Sequence, residues 1–230
     1  MKLKPICLSI ALTLLAGAAV AQTAASPFKT PLEATGYAVG VDMVRNFKAQ
    51  GVSFDLEQLI HGLRDASSGA TLALSDAEVK RLVTELETDV RAKLVAARKQ
   101  EAEANLKAGT DFLAANAKKP GVTTTASGLQ YAVLKAGTGR KPTDESSVVA
   151  NYSGQLIDGT TFDASQPGSP ATFKVGGVIP GWREALKLMP QGSKWQLTIP
   201  AALAYGERGA GRVIGPNQTL RFDVELVEVK

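Results

Sequence analysis

The spacing of apolar residues changes once along this chain of 230 residues, from a helical period to an alternating one. Between residue 31 and about residue 118, apolar side chains recur every three or four positions, which is typical of amphipathic helices. From Gly128 onward they alternate with polar side chains in short segments separated by Gly and Pro, which is typical of strands. A helical region followed by a run of strands predicts an α+β protein with two structural regions.

The helical region begins with two short helices. The first is expected from residue 31 to Gly51, where the glycine is a plausible C-cap, and the second from about Phe54 to Gly69. The second contains His61, the only histidine of the chain, on a pattern shared with other helix-packing residues. We interpret His61 as a surface or packing residue, because no second imidazole is present to share a metal ion.

A long helix follows, opened by the capping-box sequence Ser-Asp-Ala-Glu at Ser75. If it continues to Lys118, it is roughly 65 Å long at about 1.5 Å per residue. Its first half carries an apolar stripe that must be covered: Val79, Leu82, Val83, Leu86, Val90 and Leu94. Its second half, from Arg98 to Lys107, is polar all round, which is typical of a helix that crosses solvent between domains.

Two short helices make a thin core against this stripe, so a second copy of the chain is expected to complete it. We therefore predict a homodimer with a helical dimerisation region at residues 22–74, a linking helix at 75–119 and a second domain at 120–230. An intramolecular helical bundle is the alternative.

The first 21 residues have the composition of a signal peptide. "MKLK" is positively charged, "ICLSIALTLLAGAAV" is apolar, and "AVA" at 19–21 provides small residues for cleavage near Ala21. This predicts a periplasmic protein, with outer-membrane or cell-surface association as a further possibility. Cleavage would also remove the only cysteine.

The sequence contains few of the residue patterns that covalent catalysis requires. The net charge of +4 is too mild, and too evenly mixed, to predict nucleic acid as a partner. The sequence has no G-x-S-x-G, and "GERGAG" at 206–211 lacks the lysine of a phosphate-binding loop. We therefore expect no nucleophile, no metal and no cofactor.

The alternating region predicts five strands and one short helix. The strand segments are "LQYAVLKAG", "SSVVANYSGQL", "ATFKVGG", "KWQLTIP" and "TLRFDVELVEVK", and the helix is "GWREALKLM" at 181–189. Together they indicate a small antiparallel α+β domain.

The motifs of this domain appear in a characteristic order: Tyr-x-Gly, Asp-Gly-x-x-Phe-Asp, Val-Ile-x-Gly-Trp, Ala-Tyr-Gly and Phe-x-Val-x-Leu. In this order they resemble the FK506-binding-protein (FKBP) family of peptidyl-prolyl cis–trans isomerases over about residues 128–230. The helical half resembles the dimerisation region of the bacterial Mip and FkpA type. The resemblance implies an antiparallel sheet wrapped around a short helix, with an apolar cleft between them.

The same resemblance implies which residues form the cleft. Asp163 and Tyr205 would be the polar catalytic groups at its rim, and Trp182 its floor. The remaining substrate-binding residues would be Tyr152, Phe162, Phe173, Val178, Ile179, Val213, Ile214 and Phe222. The Ile179 backbone N–H would donate to a ligand carbonyl.

The implied function is rotation about X–Pro bonds in periplasmic proteins, by desolvation and orientation, together with chaperone activity. Unfolded proline-containing proteins are the expected partners, and macrolides such as tacrolimus or rapamycin are candidate ligands. The alternative is a dimeric chaperone or virulence-associated binding protein whose isomerase activity is incidental. For Asp163, a bend in the strand is expected to turn the carboxylate to the cleft, and a salt bridge with Arg or Lys is the alternative.

Overall fold

A computed structural model describes residues 27–230, so the expected leader at 1–21 lies outside the described residues. The chain forms two compact units, one ending at Ala70 and the other beginning at Thr71. Within residues 27–230, no helix has both the length and the hydropathy needed to cross a membrane.

The first unit contains two helices, α1 (Pro31–Ala49) and α2 (Leu56–Ser68). Their N-termini are capped by the side chains of Thr30 and Asp55, and α2 ends at Gly69 in a left-handed conformation. Both helices were predicted. Neither has a buried residue, so they form no closed core within residues 27–70, and apolar residues such as Leu32 and Tyr37 are exposed.

The long helix α3 (Asp76–Asn116) begins as the capping box predicts, because Ser75 Oγ accepts a hydrogen bond from the Glu78 backbone N–H at 3.3 Å. The apolar stripe of its first half is largely uncovered. Five of its members are exposed, from 39% at Val79 to 52% at Leu94, and only Val90 is partly buried.

The second half of α3 lies against the loop at residues 207–219 and against the sheet of the same unit. It therefore does not cross solvent freely, contrary to the expectation from its polarity. The contacts come from one face of α3, which we call the docking face: Arg98, Ala102, Asn105, Gly109, Phe112 and Asn116. These residues are spaced alternately by four and three, the period of a packed helix. The contact was not predicted from the sequence, because four of these six residues are polar, charged or glycine.

The sheet has seven antiparallel strands, in the order β1-β2-β6-β7-β3-β4, and β5 pairs with the start of β3. The strands are β1 (Val122–Thr124), β2 (Gln130–Lys135), β3 (Ser147–Leu156), β4 (Thr161–Ala164), β5 (Ala171–Lys174), β6 (Lys194–Ile199) and β7 (Leu220–Val229). The five predicted strand segments are all confirmed. The sequence analysis missed β1 and β4, because three or four residues are too few to display a period.

The short helix α4 (Pro180–Leu188) packs on the sheet, as predicted. Trp182, Ala185 and Leu186 are buried on it and join the sheet residues in one apolar core. Gly181 permits the close approach, because a side chain at this position would collide with Ile199 of β6. The first turn of α4, which carries the cleft floor Trp182, is thereby held close to β6.

Candidate active site

The indole ring of Trp182 forms the centre of an aromatic cluster and is only 4% exposed. Three rings stand edge-on to it: Phe222 at 5.3 Å, Phe173 at 5.4 Å and Tyr152 at 5.5 Å between centroids. Edge-to-face pairs at such distances are favourable, since the positive ring edge meets the negative ring face. The rings come from α4, β7, β5 and β3, so only the folded sheet assembles them.

Gly154 leaves room at β3 for two aromatic rings, those of Phe222 and Phe162. A Cβ atom at this position would lie 2.7 Å from Phe222 Cε1 and 2.8 Å from the nearest ring carbon of Phe162. Both distances are too short for a real side chain. The Tyr-x-Gly motif at residues 152–154 is thereby explained, because the tyrosine supplies a wall and the glycine leaves room for two rings.

The strand β4 is irregular at the position where a bend was expected. Asp163 pairs with Gly154, whereas Thr161 pairs with Gln155, so Phe162 is an extra residue opposite the β3 ladder. A bulge of this kind bends the strand and redirects its side chains. Phe162 then packs on Phe222, with ring centroids 5.5 Å apart, and Asp163 also lines the cleft.

The Asp163 carboxylate is held by Tyr152, whose hydroxyl donates to Asp163 Oδ2 at 2.8 Å. Within residues 27–230, Asp163 forms no salt bridge, which was the alternative expected from the sequence. Burial raises the pKa of Tyr152 to about 12, and the hydrogen bond to Asp163 adds to the shift. The phenol is therefore a stable donor at neutral pH.

The cleft has a volume of about 320 Å³. It is lined by Tyr152, Asp163, Phe173, Gly177, Val178, Ile179, Trp182, Tyr205 and Phe222. Eight of these nine residues were predicted as site residues. Gly177 was missed, although the Val-Gly-Gly sequence before Val178 is the signal that could have revealed a backbone surface there. Ile179 is the N-cap of α4, so its N–H precedes the helical ladder and has no intrahelical acceptor.

Three predicted residues lie outside this lining. Phe162 stands behind Phe222, and Val213 and Ile214 lie in the loop after Tyr205, which we call the rim loop (residues 206–217). Ile214 is 9% exposed and belongs to the core, whereas Val213 is 48% exposed. Tyr205 itself lines the cleft and is 39% exposed, as expected of a rim residue.

His61 is a surface residue of α2, as predicted, and lies 3.4 Å from Asp65 one turn later.

The chemistry of the cleft is that of an apolar slot with a carboxylate, two phenols and a backbone N–H at its edge. Such a slot can exclude water from a small ring and orient the polar groups attached to it.

Comparisons with known proteins agree with this geometry. The sequence profile described as "FKBP-type peptidyl-prolyl cis-trans isomerase" matches residues 138–227. The profile described as "Domain amino terminal to FKBP-type peptidyl-prolyl isomerase" matches residues 33–133.

Individual relatives match over most of their length. The "Outer membrane protein MIP" of Legionella longbeachae is 45% identical over 213 residues, which cover 92% of this chain and 91% of that protein. The "FKBP-type 22 kDa peptidyl-prolyl cis-trans isomerase" of Escherichia coli strain K12 is 45% identical, covering 88% of this chain and 97% of that protein. The crystal structure of FkpA from Escherichia coli superposes with a TM-score of 0.70 at 40% identity, covering 88% of this chain and 98% of that one.

Proposed function

Since this chain belongs to the FKBP-type peptidyl-prolyl cis–trans isomerase family and catalyses rotation about X–Pro peptide bonds, we propose that the reaction takes place in the aromatic cleft above Trp182. The observation that carries the proposal is the combination of a buried aromatic floor with a few polar groups confined to the rim. Proline fits such a site, because its ring is apolar whereas the carbonyls on either side need orientation.

The physical basis is differential stabilisation of the twisted amide. Rotation about an X–Pro bond meets a barrier of about 18–20 kcal/mol, because twisting breaks amide resonance. The twisted amide is less polar than the planar one, so a water-excluding apolar cleft favours it relative to the ground state. No covalent intermediate is needed, which fits a lining composed mainly of aromatic and aliphatic side chains.

The rim groups have orienting roles in this proposal. The Ile179 N–H donates to a substrate carbonyl, and the Tyr205 hydroxyl donates a second hydrogen bond at the edge. Asp163 places negative charge beside the rotating bond. Tyr152 keeps that carboxylate in position through the 2.8 Å hydrogen bond.

A measurement of kcat/KM on a short proline peptide tests the assignment, with the full mature chain and two variants. Tyr205→Phe removes one orienting hydrogen bond, worth about 0.5–1.5 kcal/mol, so a modest loss of roughly two- to twelvefold is expected. Asp163→Leu should reduce kcat/KM further, because it removes a charge. Tacrolimus should compete with the peptide if the cleft also takes macrolides.

The control is Glu228→Leu, which makes the same replacement at an exposed carboxylate of β7 that does not line the cleft, and it should leave kcat/KM unchanged. Circular dichroism verifies the fold of each variant. Full activity in both Tyr205→Phe and Asp163→Leu would place the reaction elsewhere. Complete inactivity of a well-folded Tyr205→Phe would indicate covalent or proton-transfer chemistry instead.

We also propose that the chain is a homodimer with chaperone activity. Supporting features are the uncovered stripe of α3 and an apolar groove of about 510 Å³ between α1 and α2, lined by residues that include Val44, Leu59 and Ile60. Two clefts on one dimer can hold a client chain more firmly than one, because the second binding event becomes intramolecular. A light-scattering assay with an aggregating protein separates this role from isomerisation, since Asp163→Leu should retain protection.

We propose the periplasm as the location, with outer-membrane association as the alternative. The signal-like residues 1–21 support export, and one similar protein is named an outer membrane protein. N-terminal sequencing of chain recovered from the periplasmic fraction should begin at Gln22. A soluble cytoplasmic chain that retains Met1 would contradict export.

A further inference from the structure

The rim loop directly follows Tyr205 and is rich in residues with left-handed backbone conformations. Four of its residues have positive φ angles: Gly206 (55°), Gly209 (63°), Gly211 (58°) and Asn217 (57°). Its neck is closed by a hydrogen bond from Asn217 N to Gly206 O at 2.8 Å. Because glycine-rich segments lose much conformational entropy when they are ordered, the position of such a loop is set by its contacts with rigid neighbours.

One rigid neighbour is the docking face of α3, which holds the first leg of the loop through Arg98. Arg98 Nη2 donates to Arg208 O at 2.7 Å and to Glu207 O at 3.4 Å. Both carbonyls belong to the short 3-10 turn that starts immediately after Tyr205. A charged donor makes a stronger hydrogen bond than a neutral one, so Arg98 restrains the backbone within three residues of Tyr205.

The second leg is held one to two turns further along the same helix. Asn105 Nδ2 donates to Pro216 O at 2.9 Å, and in return Asn217 Nδ2 donates to Ala102 O at 3.3 Å. Gly215 lies so close to α3 that a side chain there would collide with Glu101. Both legs of the loop are therefore anchored to one helix face that does not line the cleft.

We propose that Arg98 and Asn105 are positioning residues for catalysis, which hold the rim loop so that Tyr205 stays at the edge of the cleft. Neither residue lines the cleft, so they act only through the loop. The inference rests on the proposed function, because Tyr205 receives its orienting role there. It gives the long helix a part in the chemistry besides joining two regions of the chain.

The test compares kcat/KM of full-length mature variants on a proline peptide. Arg98→Met keeps the aliphatic stem but removes the donors, and Asn105→Ala removes the second anchor. We expect each to lower kcat/KM about three- to tenfold, the loss that corresponds to about one net hydrogen bond. Arg98→Lys, which can restore one charged donor, should recover part of the activity.

The chain offers matched controls on the same helix. Arg91 lies two turns before Arg98 on the same face, and within residues 27–230 its side chain makes no hydrogen bond or ion pair. Gln100 is an exposed amide that likewise makes none. Arg91→Met and Gln100→Ala should therefore leave kcat/KM unchanged, and a loss equal to that of Arg98→Met would overturn the inference.

Two further measurements separate positioning from a general structural effect. Hydrogen exchange should become faster at the Asn217 and Ala210 amides in Arg98→Met, while the exchange of β7 amides is unchanged. In a Tyr205→Phe background, Arg98→Met should cause little additional loss, since the group that it positions is already inactive. An equal loss in both backgrounds would overturn the inference.

The outcomes also distinguish this inference from the proposed function. If Tyr205→Phe lowers kcat/KM but Arg98→Met does not, only the positioning role fails. If Tyr205→Phe has no effect, the proposed role of Tyr205 fails, and the positioning role fails with it.

Discussion

Tyr152 has both a structural and a chemical role in the cleft. Its ring is a wall against Trp182, and its hydroxyl holds Asp163. Burial is the main reason that its pKa is raised to about 12, and the hydrogen bond to Asp163 is the next. A wall residue thus also orients the charged group at the rim, a role that its position in the strand alone did not reveal.

This raised pKa predicts a pH dependence at the alkaline end. The ordinary pKa of tyrosine is about 10, so the folded state favours the protonated phenol. The resulting stabilisation is complete below pH ~10 and is lost as the pH rises through about 12. We expect the tyrosinate absorbance of the folded protein to contain a component with a midpoint near pH 12 that disappears in Tyr152→Phe. Should the missing component titrate near pH ~10 instead, the hydrogen-bonded phenol would be ruled out.

At the scale of elements, α3 and the sheet share a buried polar contact at the end of the docking face. Asn116 is 7% exposed and donates to Gln130 Oε1 at 2.9 Å, and Gln130 Nε2 donates to Leu113 O at 3.0 Å. Gln130 is itself 4% exposed. The side-chain amide of β2 is thus satisfied by the helix, so these two elements belong to one folding unit.

Asn116→Ala should therefore destabilise the full-length chain. It leaves Gln130 Oε1 buried without its donor, at a cost of about 1–3 kcal/mol in the free energy of unfolding. Urea denaturation monitored by Trp fluorescence measures this change. Gln100→Ala, an exposed amide on the same helix, serves as the control and should change stability little. Equal midpoints for the two variants would show that the polar contact adds nothing.

At the scale of the whole molecule, the uncovered stripe on α3 and the absence of buried residues in α1 and α2 favour a second chain as the missing half of the core. We predict that Leu86→Glu, which places a charge in the stripe, converts a dimer into a monomer. Thr88→Glu, on the opposite side of α3, should remain dimeric. Sedimentation velocity at micromolar concentration measures the difference, and a monomeric wild-type chain would favour the intramolecular bundle instead.

Activity on a short peptide should survive dissociation. Residues of one chain supply both the aromatic floor and the polar rim of the cleft, so Leu86→Glu should retain kcat/KM per chain. Protection of an aggregating protein should fall if it depends on two clefts held together. A parallel loss of both activities would indicate that the dimer supports the fold of the isomerase domain.

The sequence by itself was sufficient to predict the elements that bury an apolar face, because the residues of that face recur at a regular spacing. Within residues 27–230, helical and alternating periods identified all four α-helices and five of the seven strands, since a buried face must recur at the period of its backbone. The order of the motifs then indicated the cleft, and eight of its nine lining residues were among the predicted site residues. Ser75 and Gly69 marked helix ends, because capping is a local interaction.

Only the tertiary structure decided which polar groups meet. The hydrogen bond between Tyr152 and Asp163 requires the bulge at Phe162, whose register depends on two strands at once. The docking face of α3 has a helical period, yet its polar and small members read as solvent-exposed until the rim loop is placed against them. Apolar burial leaves a periodic trace in one sequence segment, whereas a directional hydrogen bond between distant segments leaves none, because its partner is specified by the fold.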